Sequence, residues 1–116
     1  GPAGCMVEFD DDLVINIDGA IYKCPAFVGR EGFSMGDLRR GVVETGTAYN
    51  PDVWKKPECL ACAYLPQCYG GCRFLKYVRD GRVDDVDCWR PFLDATLEKC
   101  IRQDLAYRKG TAQSRR

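Results

Sequence analysis

The chain has 116 residues, enough for one small domain with a modest core. Its 17 basic and 17 acidic residues cancel, so it lacks the broad electrostatic field that nucleic-acid binders and anionic-membrane binders carry. Histidine is absent, which removes the commonest general base and the commonest nitrogen ligand for metals. Any chemistry here therefore depends on the eight cysteines.

The N-terminus, GPAGCMVEF, lacks the basic and apolar regions of a signal peptide, and no apolar run approaches the roughly 18 residues of a membrane span. We therefore expect a cytoplasmic location, with neither a membrane nor a nucleic acid as partner. The Gly-Pro start is typical of a protease-cleavage scar, so we also expect a piece of a longer protein.

The first predicted element is a hairpin over residues 13–24, LVINIDGAIYKC. Two short β-branched strands flank Asp18 and Gly19, a pair that favours a two-residue type I′ turn. That register places Leu13 opposite Cys24, and Pro25 discourages further pairing.

The next segment, residues 28–57, has mixed signals, with many glycines and a short helical possibility over residues 35–40. We predict a mostly irregular connection that packs over the core. The side chains expected to make that packing are Phe27, Phe33, Leu38 and Trp54.

Two helices are predicted in the C-terminal part. The first covers RFLKYVRDG, closes at Gly81 and turns Phe74, Leu75 and Val78 inward. The second begins near Pro91. Its expected apolar face consists of Leu93, Leu97, Cys100 and Ile101.

This second helix is expected to stop at Gly110, before the polar residues TAQSRR. The pattern predicts one domain over residues 1–109 and a disordered polar tail over residues 110–116. The aromatic side chains of Trp54, Trp89 and Phe92 are expected in the core, since a domain of this size needs its aromatics inside.

Four cysteines are concentrated in CLACAYLPQCYGGC, residues 59–72, at spacings of two, five and three residues. Disulfides, structural zinc and iron–sulfur clusters can all use such thiols, and spacing alone barely separates zinc from clusters. Because fourteen residues cannot easily place every sulfur on one cluster and also bury apolar side chains, we expect ligands to be shared with distant cysteines. These are Cys5, Cys24, Cys88 and Cys100.

The whole pattern resembles the SPASM domain of radical S-adenosylmethionine enzymes. The similarity runs from Cys5 to Cys88: Cys5, thirteen residues, Gly19, four residues, Cys24, a gap, the Cys59-x2-Cys62-x5-Cys68-x3-Cys72 quadruple, a gap, and Cys88. The segments DGAIYKCP, GDLRRG and YGGCRFL are also similar to those of the family.

The resemblance implies a small α+β fold with an N-terminal β-hairpin, irregular cysteine-rich metal-binding loops and C-terminal helices. It also implies two auxiliary [4Fe–4S] clusters. The first would use Cys5, Cys24 and Cys72, with a fourth ligand that is unknown. The second would use Cys59, Cys62, Cys68 and Cys88, a set that could instead hold a single iron or zinc ion if the cluster is degraded.

By this resemblance the chain is the C-terminal part of an enzyme that modifies a peptide or protein substrate. Its clusters would transfer electrons or bind the substrate. The CxxxCxxC motif that binds the S-adenosylmethionine-cleaving cluster is absent, so S-adenosylmethionine and catalysis are expected in an upstream radical domain of the same chain. The alternative is a structural zinc-binding interaction module without a redox role.

Several residues near the cysteines have two interpretations. Arg73, Lys76 and Arg79 follow Cys72 and could offset cluster charge, but a solvated helix face explains them as well. Gly70 and Gly71 could let backbone N–H groups approach sulfide or could form a simple tight turn. The acidic residues are expected to form a solvated loop, with docking of a basic leader peptide as the alternative; they are Glu8, Asp10, Asp11 and Asp12. Cys100 is expected at a buried core position, with a role as a cluster ligand as the alternative.

Overall fold

The structure is a computed structural model that describes residues 5–43 and 49–114. In these ranges the strands are β1 (Val14–Ile15), β2 (Ala20–Tyr22), β3 (Gly36–Asp37) and β4 (Gly41–Val42). The α-helices are α1 (Pro57–Leu60), α2 (Leu65–Cys68), α3 (Arg73–Asp80) and α4 (Arg90–Ser114). Short 3-10 helices cover Met6–Glu8, Pro25–Phe27 and Val53–Lys55. The strands form one antiparallel sheet in the order β1-β2-β3-β4, which confirms the expected small α+β class with helices at the C-terminus.

The first hairpin is present, but its predicted register is wrong by one residue. Val14 pairs with Tyr22 and Ile15 with Ile21, so Leu13 does not lie opposite Cys24. The turn has three residues, because the Asn16 N–H bonds the Ala20 carbonyl at 2.8 Å and the Gly19 N–H bonds the Asn16 carbonyl at 2.8 Å. Gly19 has φ +88°, the left-handed conformation that the last residue of such a three-residue turn requires.

A second hairpin replaces the expected helical segment over residues 35–40. Gly36 pairs with Val42 and Asp37 with Gly41, so the helical possibility is wrong. The Asp37 carboxylate accepts hydrogen bonds from the N–H groups of Arg39 and Arg40 at 2.9 and 2.8 Å, and a side chain that caps its own loop in this way favours a turn over a helix. Leu38 lies at the tip and is 63% exposed, so it is not a core residue.

The core is aromatic and lies where the sheet meets α3. Phe27 is fully buried and its ring stacks on Phe33 with centroids 4.1 Å apart. Phe74 and Tyr77 of α3 present ring edges to Phe27 at 5.6 and 5.5 Å, while Tyr22 of β2 belongs to the same cluster. Such stacked and edge-to-face pairs are the preferred aromatic arrangements, so the predicted inward positions of Phe27, Phe33 and Phe74 are confirmed.

Helix α3 ends as predicted, with Gly81 at φ +71° and its N–H bonded to the Tyr77 carbonyl at 2.8 Å. Its inward face differs from the prediction. Leu75 and Val78 are exposed, whereas Arg73 is buried. The face is rotated because Tyr77 packs on the core, and Arg73 lies one turn before it on the same side of the helix.

Helix α4 continues past Gly110 to Ser114, so the predicted stop at Gly110 is wrong and residues 110–114 are helical. Glycine weakens a helix interior by only about 1 kcal/mol relative to alanine, and the helical hydrogen bonds override that cost here. Whether residues 1–109 form the domain on their own stays a prediction. In the described part of the chain, no helix combines the length and apolar character needed to cross a membrane.

The apolar face predicted for α4 is only partly buried. Leu93 is buried, but Ile101 is 51% exposed and Cys100 is exposed. Phe92 is also exposed, so its predicted core position is wrong, whereas Trp54 and Trp89 are half-buried. Most of α4 therefore projects its side chains into solvent.

Candidate metal centres

One group of cysteines lies beside the aromatic core. Cys5 precedes the 3-10 helix Met6–Glu8, Cys24 follows β2, and Cys72 precedes α3. Burial raises the pKa of the Cys24 thiol, and the nearby charges of Cys5 and Cys72 raise it further. Three segments that are distant in sequence thus bring their thiols within electrostatic reach of one another.

The second group lines a single cavity of about 300 Å³. Cys59 lies in α1, Cys68 ends α2, Cys62 lies between these helices, and Cys88 precedes α4. Burial raises the pKa of the Cys59 thiol, with further contributions from Cys68, Cys88 and Cys62 in that order. If these thiols ionise, their like charges repel one another, and a cation among them would relieve that repulsion.

A reversal of the chain over residues 69–71 separates Cys72 from Cys68. Tyr69, Gly70 and Gly71 have φ values of +47°, +88° and +80°, and a left-handed conformation costs little only for glycine. After this turn the chain enters α3, so Cys72 joins the first group while Cys68 stays in the second. The four closely spaced cysteines of residues 59–72 are therefore divided between the two groups.

The same turn also positions Cys88. The Gly70 carbonyl accepts a hydrogen bond from the Asp87 N–H at 2.9 Å. A Cβ atom on Gly71 would lie 1.9 Å from the Asp87 carbonyl oxygen, so only glycine permits this approach. Of the two predicted interpretations, the tight turn is what the structure shows, since the Gly71 N–H bonds the Cys68 carbonyl at 3.0 Å.

A buried guanidinium connects the segments that carry the two groups. The Arg73 side chain is 2% exposed and forms an ion pair with Glu8 at 2.8 Å, whose own side chain is 9% exposed. Arg73 also donates to the carbonyls of Asn50 and Asp85 at 3.3 and 3.4 Å. The interpretations of Arg73 as part of a solvated face and of Glu8 as part of a solvated loop are both wrong, because each charge satisfies the other inside the fold.

The remaining predicted charged residues lie nearer the surface. Arg79 pairs with the buried carboxylate of Asp87, and Lys76 pairs with Asp80 at 2.5 Å. Asp10, Asp11 and Asp12 are exposed, as predicted. Cys100 is exposed and lies on α4 outside both cysteine groups, so its predicted core position is wrong.

A buried tyrosine also lies near the first group. Tyr49 is buried in the core cluster on which Cys5 and Cys24 pack. Burial raises the pKa of Tyr49 to about 12, and the charges of Cys24 and Cys5 contribute to the increase. No sequence signal marked it, because a lone aromatic in a glycine-rich stretch is normally a core residue.

The cysteine groups offer only sulfur donors. In residues 5–43 and 49–114, no group of three or more cysteine, aspartate or glutamate side chains is arranged to hold one metal ion. Iron–sulfur clusters and structural zinc sites both use cysteine thiolates as ligands. The donor chemistry of these groups therefore suits either kind of cofactor.

The two groups divide seven cysteines in the same way as the two predicted ligand sets, and ligation itself stays a prediction. No family model, curated protein or solved structure matches the chain. The case for a function therefore depends on the grouping of the cysteines and on the resemblance of the motifs.

Proposed function

We propose that this chain is an auxiliary iron–sulfur domain, similar to SPASM domains, of a radical S-adenosylmethionine enzyme that modifies a peptide or protein. The observation that carries the proposal is the division of seven cysteines into a group of three and a group of four. The group of three, Cys5, Cys24 and Cys72, would hold one [4Fe–4S] cluster. The group of four, Cys59, Cys62, Cys68 and Cys88, would hold the other.

The group of three cysteines has one ligand fewer than the group of four, which bears on the chemistry that its cluster could perform. When bound, iron–sulfur clusters supply one-electron transfer at potentials that depend on their ligands, hydrogen bonds and exposure. A cluster held by three protein thiolates has a coordination position left for a substrate atom, or for a ligand from a preceding part of the protein. The substrate class, a peptide or protein, and the upstream radical domain as partner come from the resemblance alone.

Charged side chains lie near both cysteine groups, and their formal charges are balanced. Arg73 directly follows Cys72, and its buried positive charge is balanced by a single carboxylate, Glu8. The cavity that contains the second group is lined by Lys56 and Arg90 and also by two carboxylates, Glu58 and Asp85. What these residues would offer a cluster is therefore hydrogen-bond donors, and such bonds in the surrounding shell influence a cluster's potential.

Anaerobic reconstitution with iron and sulfide tests the proposal through single cysteine substitutions. We expect Cys68→Ser and Cys24→Ser each to lose about half of the iron and sulfide, because they remove ligands of different [4Fe–4S] clusters. By electron paramagnetic resonance (EPR), each variant should keep the signal of the cluster that the other variant loses. Cys100→Ser is the matched control, since it removes an exposed thiol outside both groups, and it should retain both clusters.

Circular dichroism of each variant separates loss of a cluster from loss of the fold. A folded Cys24→Ser or Cys68→Ser variant that retains the iron content of the unaltered chain would contradict the ligand assignment. Stoichiometric zinc at the second group, colourless and without sulfide, would instead support the alternative of a structural zinc module.

A further inference from the structure

Tyr49 has a buried hydroxyl without a partner. Its side chain belongs to the aromatic core and is 7% exposed, and its ring contacts Phe27 with centroids 6.1 Å apart at 53°. No hydrogen-bond partner for the Tyr49 Oη is present in the described residues. Buried polar groups in folded proteins are nearly always paired, and an exception often indicates a missing ligand or water.

The groups around the Tyr49 hydroxyl indicate what its missing partner would be. Cys5 and Cys24 pack on the same core cluster as Tyr49, and the phenol lies within electrostatic reach of both thiols. The next residue, Asn50, holds the backbone here, because its carbonyl accepts a hydrogen bond from Arg73 and its side-chain amide donates to the Asp84 carbonyl at 3.2 Å. Tyr49 is therefore anchored by its ring contact and by the backbone of its neighbour, in the same core cluster on which Cys5 and Cys24 pack.

We propose that the Tyr49 hydroxyl donates a hydrogen bond to a sulfur of the iron–sulfur group held by Cys5, Cys24 and Cys72, and thereby raises that group's reduction potential. This inference rests on the proposed function. A phenolic O–H is a donor, and thiolate and sulfide sulfurs accept such bonds. Reduction adds negative charge to the cluster, so the bond stabilises the reduced form more than the oxidised form.

The structure also accounts for tyrosine rather than phenylalanine at this position. The contact with Phe27 needs only the ring, so packing alone gives no use to the hydroxyl. A second buried donor without a partner in the described residues, Nε of Arg73, belongs to the residue that directly follows Cys72. Both unpaired donors thus belong to residues next to the first group, in space or in sequence.

The test is Tyr49→Phe in the complete, anaerobically reconstituted chain. The midpoint potential of each cluster is measured by an EPR-monitored redox titration, with the two signals assigned from the cysteine variants. We expect the potential of the first cluster to fall by about 59 mV, which is a tenfold change in a one-electron equilibrium. The second cluster and the iron and sulfide contents should not change.

A second measurement reports on the bond itself. In deuterated buffer, electron–nuclear double resonance should detect an exchangeable deuteron coupled to the first cluster, and Tyr49→Phe should remove that coupling. Tyr77→Phe is the matched control, because its ring contacts the same Phe27 at 5.5 Å. This control should leave both the potential and the coupling unchanged.

The outcomes distinguish this inference from the proposed function. A native potential and a native coupling in Tyr49→Phe would overturn the inference alone. Loss of iron from the first group in that variant would also overturn it, because Tyr49 would then be a ligand rather than a donor. Absence of iron and sulfide from the first group in the unaltered chain would overturn the proposed function and this inference together.

Discussion

Replacing Arg73 with alanine should destabilise the cofactor-free protein severely. The guanidinium is 2% exposed and the Glu8 carboxylate 9% exposed, so the variant leaves a negative charge inside the fold with no cation beside it. Breaking a buried ion pair by removing one partner costs about 3–5 kcal/mol. The whole folding free energy of a small domain is about 5–15 kcal/mol, so the loss would be a large part of the total.

The assay is urea denaturation of the metal-free, reduced protein, followed by far-ultraviolet circular dichroism. The control is Arg102→Ala, which removes an exposed pair with Glu98 whose side chains are 77% and 78% exposed. That pair should contribute only about 0.3–0.5 kcal/mol. If Arg73→Ala lowers the free energy of unfolding by less than about 1 kcal/mol, which is the range of surface ion pairs, Arg73 does not hold together the segments that carry the two cysteine groups.

A double substitution distinguishes the effect of the Arg73–Glu8 ion pair from the effect of the other hydrogen bonds of Arg73. Glu8→Gln together with Arg73→Met removes both charges and keeps much of the buried volume. Replacing a complete buried pair by neutral side chains is often close to neutral in stability, so the double variant should be more stable than Arg73→Ala. Equal stabilities would show that the loss comes from the hydrogen bonds to Asn50 and Asp85 rather than from the unpaired carboxylate.

Three further tests use substitutions elsewhere in the fold. Gly71→Ala should reduce the free energy of unfolding more than Gly81→Ala in urea titrations. Both glycines have positive φ values, so the Gly81 change should cost about 1–2 kcal/mol, but only at Gly71 would the new Cβ also lie 1.9 Å from a backbone carbonyl oxygen. Equal losses would contradict this close approach. Cys100→Ser should leave the urea midpoint of the metal-free protein unchanged, since the thiol is exposed, and a clear loss of stability would mean that it is packed. Hydrogen bonds from Lys56 and then from a backbone N–H lower the pKa of Asp85, so the ionised carboxylate stabilises the fold above the unfolded pKa of about 3.9, and that contribution is lost as the pH falls through the lower folded pKa. The difference in free energy of unfolding between the unaltered chain and Asp85→Asn should therefore narrow below about pH 4. A difference that widens there would contradict the lowered pKa.

Local signals in the sequence were sufficient for the elements with strong turn chemistry. Asp18 and Gly19 marked the first hairpin, and Gly81 marked the end of α3. The register was missed because the same two residues also suit a three-residue turn, with Gly19 at its last position. A one-residue difference in turn length moves every side chain of the strand to the opposite face, so the partner of Cys24 was wrong as well.

Only part of the candidate site could be predicted from the sequence. The division of the cysteines followed from the motif resemblance, and the glycines before Cys72 hinted at the turn that produces it. The burial of Arg73 and Glu8 could not be predicted, because charged residues are almost never buried unless paired and their pairing spans 65 positions of sequence. Tyr49 was missed for the same reason, since its significance depends on tertiary neighbours.

The central claim is that the two cysteine groups hold two iron–sulfur clusters, and metal analysis tests it most directly. Iron, acid-labile sulfide and zinc should be measured per chain on protein purified without oxygen. The account predicts about eight irons and about eight sulfides per chain, as two [4Fe–4S] clusters require, with little zinc. Stoichiometric zinc, or a single iron without sulfide, would contradict it.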